Sequence, residues 1–293
     1  MTITQESTMA TDLESALRQL LDTDPPAADV IDRVALQQHG TIAIVTLSHP
    51  QAHNALALAS WQRLKAIFDA LAGDPNLRAV VIRGAGSKAF AAGADIKEFP
   101  RTRMTAADAT HYNEFVAQTL RAVAAIPVPV IASIRGLAVG GGCELSTACD
   151  VRIAAADARF GIPIGKLGVI LGYTEASAAA RLIGSAGLKY LLFSGELIYA
   201  EDAQRLGLVQ KIVPTNDLTA ATAGFVAQIC RQSAVTMRAS KLVADMHGRA
   251  LTAADTELLS RLSIEAYEGE DLKEGVAAFE QGRRPVFDQQ EEN

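Results

Sequence analysis

Aromatic residues make up only 5% of this chain of 293 residues, which has one tryptophan and three cysteines. Cys143, Cys149 and Cys230 are odd in number and sit in apolar stretches. That excludes a fully paired disulfide framework and suits reduced thiols in a cytoplasmic protein. No apolar run is long enough to span a membrane. Residues 1–30 carry neither the basic start nor the apolar core of a secretory signal. They are acidic, contain Pro25-Pro26 and have room for one short helix near residues 13–21, so they read as a flexible or subunit-covering arm. A surplus of positive charge is also missing. The net charge of −6 and a pI near 5.4 argue against a general nucleic-acid surface, and an anionic ligand then requires a local cluster of Lys and Arg. His49 and His53 flank a turn without ligand spacing, and no metal is expected.

The chain is rich in small and aliphatic residues. With 49% apolar residues and 22 glycines, it can pack α/β layers into one large core plus an appended helical piece. Residues 41–47 form a short apolar run that reads as a buried strand. Trp61, Leu64, Ile67, Phe68 and Leu71 then recur at helical spacing up to Gly73. Residues 77–82, 130–134 and 151–155 read as further strands, with a helix over 105–125 between the first two. This order implies parallel pairing with right-handed crossovers. Beyond Glu175 the pattern turns helical, over 188–193, 200–206 and a long stretch of 216–262, interrupted by a strand at 209–213. A last helix is expected over 271–279.

Two segments carry the chemistry. Residues 89–98 read Ala-Phe-Ala-Ala-Gly-Ala-Asp-Ile-Lys-Glu, and residues 136–146 read Gly-Leu-Ala-Val-Gly-Gly-Gly-Cys-Glu-Leu-Ser. Each is a turn of small residues after a β-branched run, and each should open a helix. First turns leave amide N–H groups without partners, at the positive end of the helix dipole. Two such turns facing one point can stabilise a developing oxyanion, with Glu144 beside them as acid or base. Gly140, Gly141 and Gly142 allow backbone to approach a ligand closely because no Cβ intervenes.

These two segments resemble the signatures of the enoyl-CoA hydratase/isomerase (crotonase) superfamily. Supporting matches are Pro50-Gln-Ala-His-Asn-Ala-Leu, Cys149-Asp-Val-Arg-Ile-Ala, Phe160-Gly-Ile-Pro and Lys273-Glu-Gly-Val-Ala-Ala-Phe, in order over about residues 33–287. The resemblance implies an α/β spiral of repeated ββα units over residues 31–215, after the arm at 1–30. It implies a helical C-terminal region over 216–293, used to build a homotrimer or a dimer of trimers. The ligand implied is an acyl-CoA thioester that brings its own coenzyme A, with no separate cofactor. The implied oxyanion donors are the N–H groups of Ala94 and Gly141. Substrate-lining positions are Ala52, Ala92, Asp95, Ile96, Gly140, Ile164 and Tyr173. Lys97 and Arg283, in the clusters Lys97/Arg101/Arg103 and Arg283/Arg284, are candidates for the CoA phosphates. The activity implied is reversible hydration of an enoyl-CoA in lipid metabolism, with isomerase, thioester hydrolase or a noncatalytic binding member as alternatives.

One position departs from the pattern. In the hydratases a second glutamate follows the Phe-Gly-x-Pro segment, and here that place is Ile164. Counting back from Arg181-Leu182, Glu175 falls where some superfamily members carry a functional aspartate, so Glu144 and Glu175 are the expected acid/base pair. Glu175 equally suits an ordinary first-turn acid of a helix. Asp95 and Asp150 also read as caps or turn acids, and His111 and Glu114 as gate groups or an exposed face. Gly84-Ala85-Gly86 satisfies a loose dinucleotide fingerprint and keeps a nicotinamide oxidoreductase open, although it follows the second strand of the pattern.

Overall fold

The computed structural model describes residues 13–287. Helix α1 (residues 13–22) precedes β1 (Val30–Ile31), β2 (Val34–His39) and β3 (Ile42–Leu47), and α2 (Leu58–Leu71) follows. Three successive turns of chain then repeat one plan. The strand pairs are β4 (Ala79–Gly84) with β5 (Ala89–Ala91), β6 (Val130–Ile134) with β7 (Leu137–Val139), and β8 (Val151–Ala155) with β9 (Arg159–Gly161). The helices that follow these pairs are α3 (Phe99–Thr102) with α4 (Ala106–Ala125), then α5 (Gly141–Thr147), then α6 (Tyr173–Ser194). In each pair the first strand enters a seven-stranded sheet and the second a four-stranded sheet. This is the expected spiral of ββα units.

The large sheet runs β1-β2-β3-β4-β6-β8-β11, where β11 is Lys211–Val213. It is parallel from β3 onward and antiparallel at β1 and β2. The small sheet runs β10-β9-β7-β5, with β10 at Ile198–Tyr199. Strand β3 is buried along its whole length. Its alternate residues therefore serve two cores, as the two-residue period of a strand dictates. Ala43, Val45 and Leu47 face the core built with α2, while Ile42 and Ile44 face a second apolar layer.

That second layer includes the short helix expected near residues 13–21. Residues 1–12 lie outside the described residues, but α1 packs on its own sheet. Leu17 and Leu21, one helical turn apart, are 0% and 5% exposed and join Ile42, Ile44 and Val81. Beyond α1, Asp24 accepts the Gly86 N–H and pairs with Arg83, strapping the connection to the β4 end.

Other boundaries also move. Strands β1 and β2, unmarked in the sequence reading, pair as a hairpin and extend the sheet. The strand expected from 77 starts at Ala79, where the parallel ladder with β3 begins. The helix expected over 188–193 is the end of α6, which bends at Gly184 (φ 68°). The expected 200–206 helix is α7 (Ala200–Arg205). The stretch expected to run helically over 216–262 is three helices, α8 (Leu218–Cys230), α9 (Ala234–Asp245) and α10 (Ala253–Glu268). Ser233 and Thr252 cap the later two, and Gly248 (φ 82°) turns the chain between them. Helix α11 (Glu270–Glu280) closes the series. Lys241 of α9 donates to the Val128 carbonyl and pairs with Asp150 at 2.7 Å, and Asp150 also accepts the Val130 N–H, so the C-terminal helices are tied to the spiral.

Leu17→Ala is expected to cost about 3 kcal/mol, the usual loss for emptying a well-packed leucine site. The urea midpoint should fall at unchanged slope, and an unchanged midpoint would show that α1 does not support the sheet.

Candidate active site

The site starts from a turn. His53 and Asn54 both adopt left-handed backbone (φ 52° and 57°), which Asn accepts more readily than most residues. Asn54 is buried, donates to the Ala85 and Ala89 carbonyls at 2.9 and 2.8 Å, and accepts the His49 N–H. The segment so fixed zips against the first signature. Ala92 N–H donates to His53, Leu56 N–H to Gly93, and Asp95 N–H to Leu56. In this parallel bridge, Leu56 is flanked by the bonds of Gly93 and Asp95. The N–H of Ala94 points away from the bridge and has no acceptor among the described residues.

The second signature delivers a matching donor. Gly140 (φ 51°) sends its N–H to Gly161, and α5 begins at Gly141. The first amide of a helix has no intrahelical acceptor, and that of Gly141 has none among the described residues. The two backbones are almost in contact. A Cβ added to Gly93 would lie 3.7 Å from Gly141 N, and one added to Gly141 would lie 3.9 Å from Ala94 N. Gly142 is tighter still, since its Cβ would sit 2.1 Å from the Ala91 carbonyl. The expectation that both signatures open helices holds for the second only. The first continues from β5 into a single 3₁₀ turn, Ile96–Glu98, before the one-turn α3.

Both segments face a cavity of ≈ 270 Å³, and it holds both expected glutamates. Glu144 rides on α5, three residues after Gly141, and is 9% exposed. Burial, reinforced by the nearby Glu175 carboxylate and opposed by Arg103, pushes its pKa up to about 7. Glu175, at the start of α6, is 4% exposed, and its pKa is raised chiefly by burial. Its Oε2 is buried without a hydrogen-bond partner. A solvated first-turn acid would not be so placed. Gly172 makes the room, because a Cβ there would stand 2.3 Å from that same oxygen.

The remaining expected residues divide. Ala92, Ile96, Gly140 and Ile164 line the cavity with Ala94 and Gly141. Ile164 sits in a short turn and packs against the main core, with no acid in its place. Ala52, Asp95, Lys97 and Tyr173 are not in that wall. Asp95 caps the Ile96–Glu98 turn and pairs with Arg33 at 2.8 Å. Its pKa is lowered, with burial opposed by the Arg33 bond, the Lys97 amide and those two positive charges. Tyr173 is 88% exposed because the first turn of α6 aims Glu175 inward and Tyr173 outward. Arg283 is held by both carboxylate oxygens of Glu274 on α11. His111 packs edge-on against Phe115, and Glu114 pairs with Arg121 at the surface.

Two residues that the sequence reading did not assign to the pocket line it, and a third braces it from behind. Trp61 lies under Gly141, where a Cβ would stand 2.9 Å from its ring, and donates to the Tyr112 hydroxyl at 3.0 Å. Arg103, read as part of an external phosphate cluster, turns inward and joins the cavity wall. Arg152 works from behind. Its buried guanidinium collects the carbonyls of Ser146, Cys149 and Leu208 and fixes the end of α5 against β8.

A cavity into which two unpaired amides and two buried carboxylates point matches the expected family. The profile of the enoyl-CoA hydratase/isomerase family matches residues 37–290. The chain belongs to this family. A Mycobacterium tuberculosis protein named "Probable enoyl-CoA hydratase" is 38% identical over 259 residues, 87% of this chain and 98% of that protein. The crotonyl-CoA hydratase of Syntrophomonas wolfei is 32% identical over 262 residues, with 87% and 98% covered. The crystal structure of an enoyl-CoA hydratase/carnitine racemase from Magnetospirillum magneticum superposes with a TM-score of 0.81 at 35% identity, covering 88% of this chain and 96% of that one. The family's fold thus accounts for the spiral described above.

The raised pKa of Glu144 makes a stability statement. Between the unfolded value of 4.5 and the folded value of about 7, the native state holds a proton that the unfolded chain releases, so stability falls as pH rises through this window. Glu144→Gln removes that loss. The variant should match the parent near pH 4, below the unfolded value, and gain on it by up to about 3 kcal/mol above pH 7. Denaturation midpoints at the two pH values check this, and a pH-independent difference would contradict the buried-acid description.

Proposed function

We propose that the chain catalyses the reversible hydration of an enoyl-CoA, with the thioester oxygen held by the Ala94 and Gly141 N–H groups and Glu144 and Glu175 acting as the acid/base pair. The observation that carries this reading is the shared cavity, in which two otherwise unpaired main-chain donors lie beside two buried carboxylates. The relatives' names support hydratase chemistry.

Water adds across Cα=Cβ in a balanced sequence. An ionised glutamate takes one proton from water, the hydroxyl oxygen bonds Cβ, and the π electrons move toward the thioester oxygen. The resulting enolate is met by two fixed amides, of which one alone is worth about 3 kcal/mol in comparable sites. A protonated glutamate then gives its proton to Cα as the enolate collapses. The chemistry needs one acid and one base at neutral pH, and two close buried carboxyls with raised pKa values share a proton in this way. Glu175 thereby supplies the group that Ile164 does not.

Coenzyme A enters only as part of the substrate. Assembly as a trimer or dimer of trimers belongs to the same proposal. It is supported by the outward apolar side chains Ile264, Tyr267, Leu272 and Phe279 on α10 and α11. A cytoplasmic setting is supported by the free thiols of Cys143, Cys149 and Cys230.

Glu144→Gln and Glu175→Gln should each lower kcat by about 10²–10⁴, read as the loss of enoyl-thioester absorbance across a series of acyl-CoAs. Full turnover by the Glu175 variant would return that residue to a structural role. Full turnover by both would refute the acid/base assignment.

A further inference from the structure

Arg103 is the feature of the cavity that simple hydration leaves unused. It stands between α3 and α4, and its position is over-determined. The guanidinium carbon lies 4.0 Å from the centre of the Tyr112 ring and 5.2 Å from that of Phe99. Nη2 donates to Asn113 Oδ1 at 2.5 Å. Nε is buried and has no hydrogen-bond partner, and the residue forms no ion pair among the described residues. Stacking occupies the faces of a guanidinium and leaves its edge, where donors lie side by side in the geometry that fits a carboxylate.

The surroundings sharpen the problem. Apart from the two glutamates, Lys166, Asn113 and the Tyr112 hydroxyl, the side chains of the wall are largely apolar, with Ile96, Val116, Ile164 and Leu171 among them. An arginine with an orphaned donor is costly in such a wall. Glu144 and Glu175 both feel its charge, yet neither reaches it, and the space between them is the cavity itself. Lys166, the other cation of the wall, is exposed, and its chain runs toward Gly195. Among the described residues of the wall, Arg103 is the cation that is not exposed.

Resting on the hydratase reading, we propose that the acyl group taken by this site ends in a carboxylate that docks on the edge of Arg103. The substrate class is then the mono-CoA thioester of an unsaturated dicarboxylic acid. The thioester oxygen sits at Ala94 and Gly141, the reacting double bond between the glutamates, and the distal anion on the guanidinium. A neutral alkyl chain leaves the cavity-facing side of the guanidinium without an anion and buries the cation further.

The test compares CoA thioesters of unsaturated five- and six-carbon dicarboxylic acids with the same compounds methyl-esterified at the distal end. The native enzyme should favour the free acids in kcat/KM by a hundredfold or more. Arg103→Met, with Arg103→Gln as a second variant, should bring that ratio to within about threefold of unity. Equal use of acid and ester by the native enzyme would overturn the proposal. So would a ratio unaltered by both substitutions, which would mean that Arg103 serves the glutamates alone. Should neither these thioesters nor neutral enoyl-CoAs turn over, the hydratase reading fails separately. Calorimetry with the saturated acid and its methyl ester then decides, and equal affinity of the native protein for the two would overturn the docking of an anion.

Discussion

The close approach of two main-chain segments, residues 93–94 and 140–141, is the constraint on which the rest of this structure rests. It is possible only because Gly93, Gly140 and Gly141 present no side chain where the backbones meet, and because Gly93 (φ 99°) and Gly140 (φ 51°) take conformations that most residues avoid. Each segment is fixed from outside the contact. The first is zipped to the turn around Asn54, and the second is stretched between the small sheet and a helix whose far end is gripped by Arg152. Donors held this way have no freedom to relax toward a ligand. That rigidity is what makes preorganised amides effective at a developing charge.

The carboxylates obey a different logic. An apolar cavity raises the cost of ionising either one, and their proximity raises it again for Glu144. The half-buried Arg103 offsets part of that cost for both carboxylates. The three groups come from three elements, α5, α6 and the α3–α4 corner, so the balance among them exists only in the assembled spiral.

The sequence made the repeating plan legible because each ββα unit leaves a mark. Buried parallel strands read as continuous apolar runs, glycine turns follow them, and the helices keep their 3.6-residue period. The two signature segments, and Glu144 between Cys143 and Leu145, were legible for the same reason. The hairpin β1–β2 was missed because Gln37, Gln38 and His39 at its edge lack strand composition. The structure turns Tyr173 outward and brings Arg103 into the cavity wall, and neither placement was legible. Adjacent residues at a helix start point in different directions, and a cation after a short turn looks like surface until the turn's geometry is known. Trp61 was legible as core but not as the floor under Gly141, since nothing in its helical spacing encodes a partner eighty residues away.

The placement of Glu175 has a consequence for how such a pocket can change. The Ala94 amide lies in the bridged first signature and that of Gly141 opens α5, whereas this acid stands on the opening turn of α6, admitted by the bare Cα of Gly172. Gly141 and Glu144 share α5, so of the two buried carboxylates only Glu175 stands on a support separate from the Ala94 and Gly141 amides. Changes at Gly172 and Glu175 can therefore move or remove a buried acid without disturbing the bridge that holds residues 93–94.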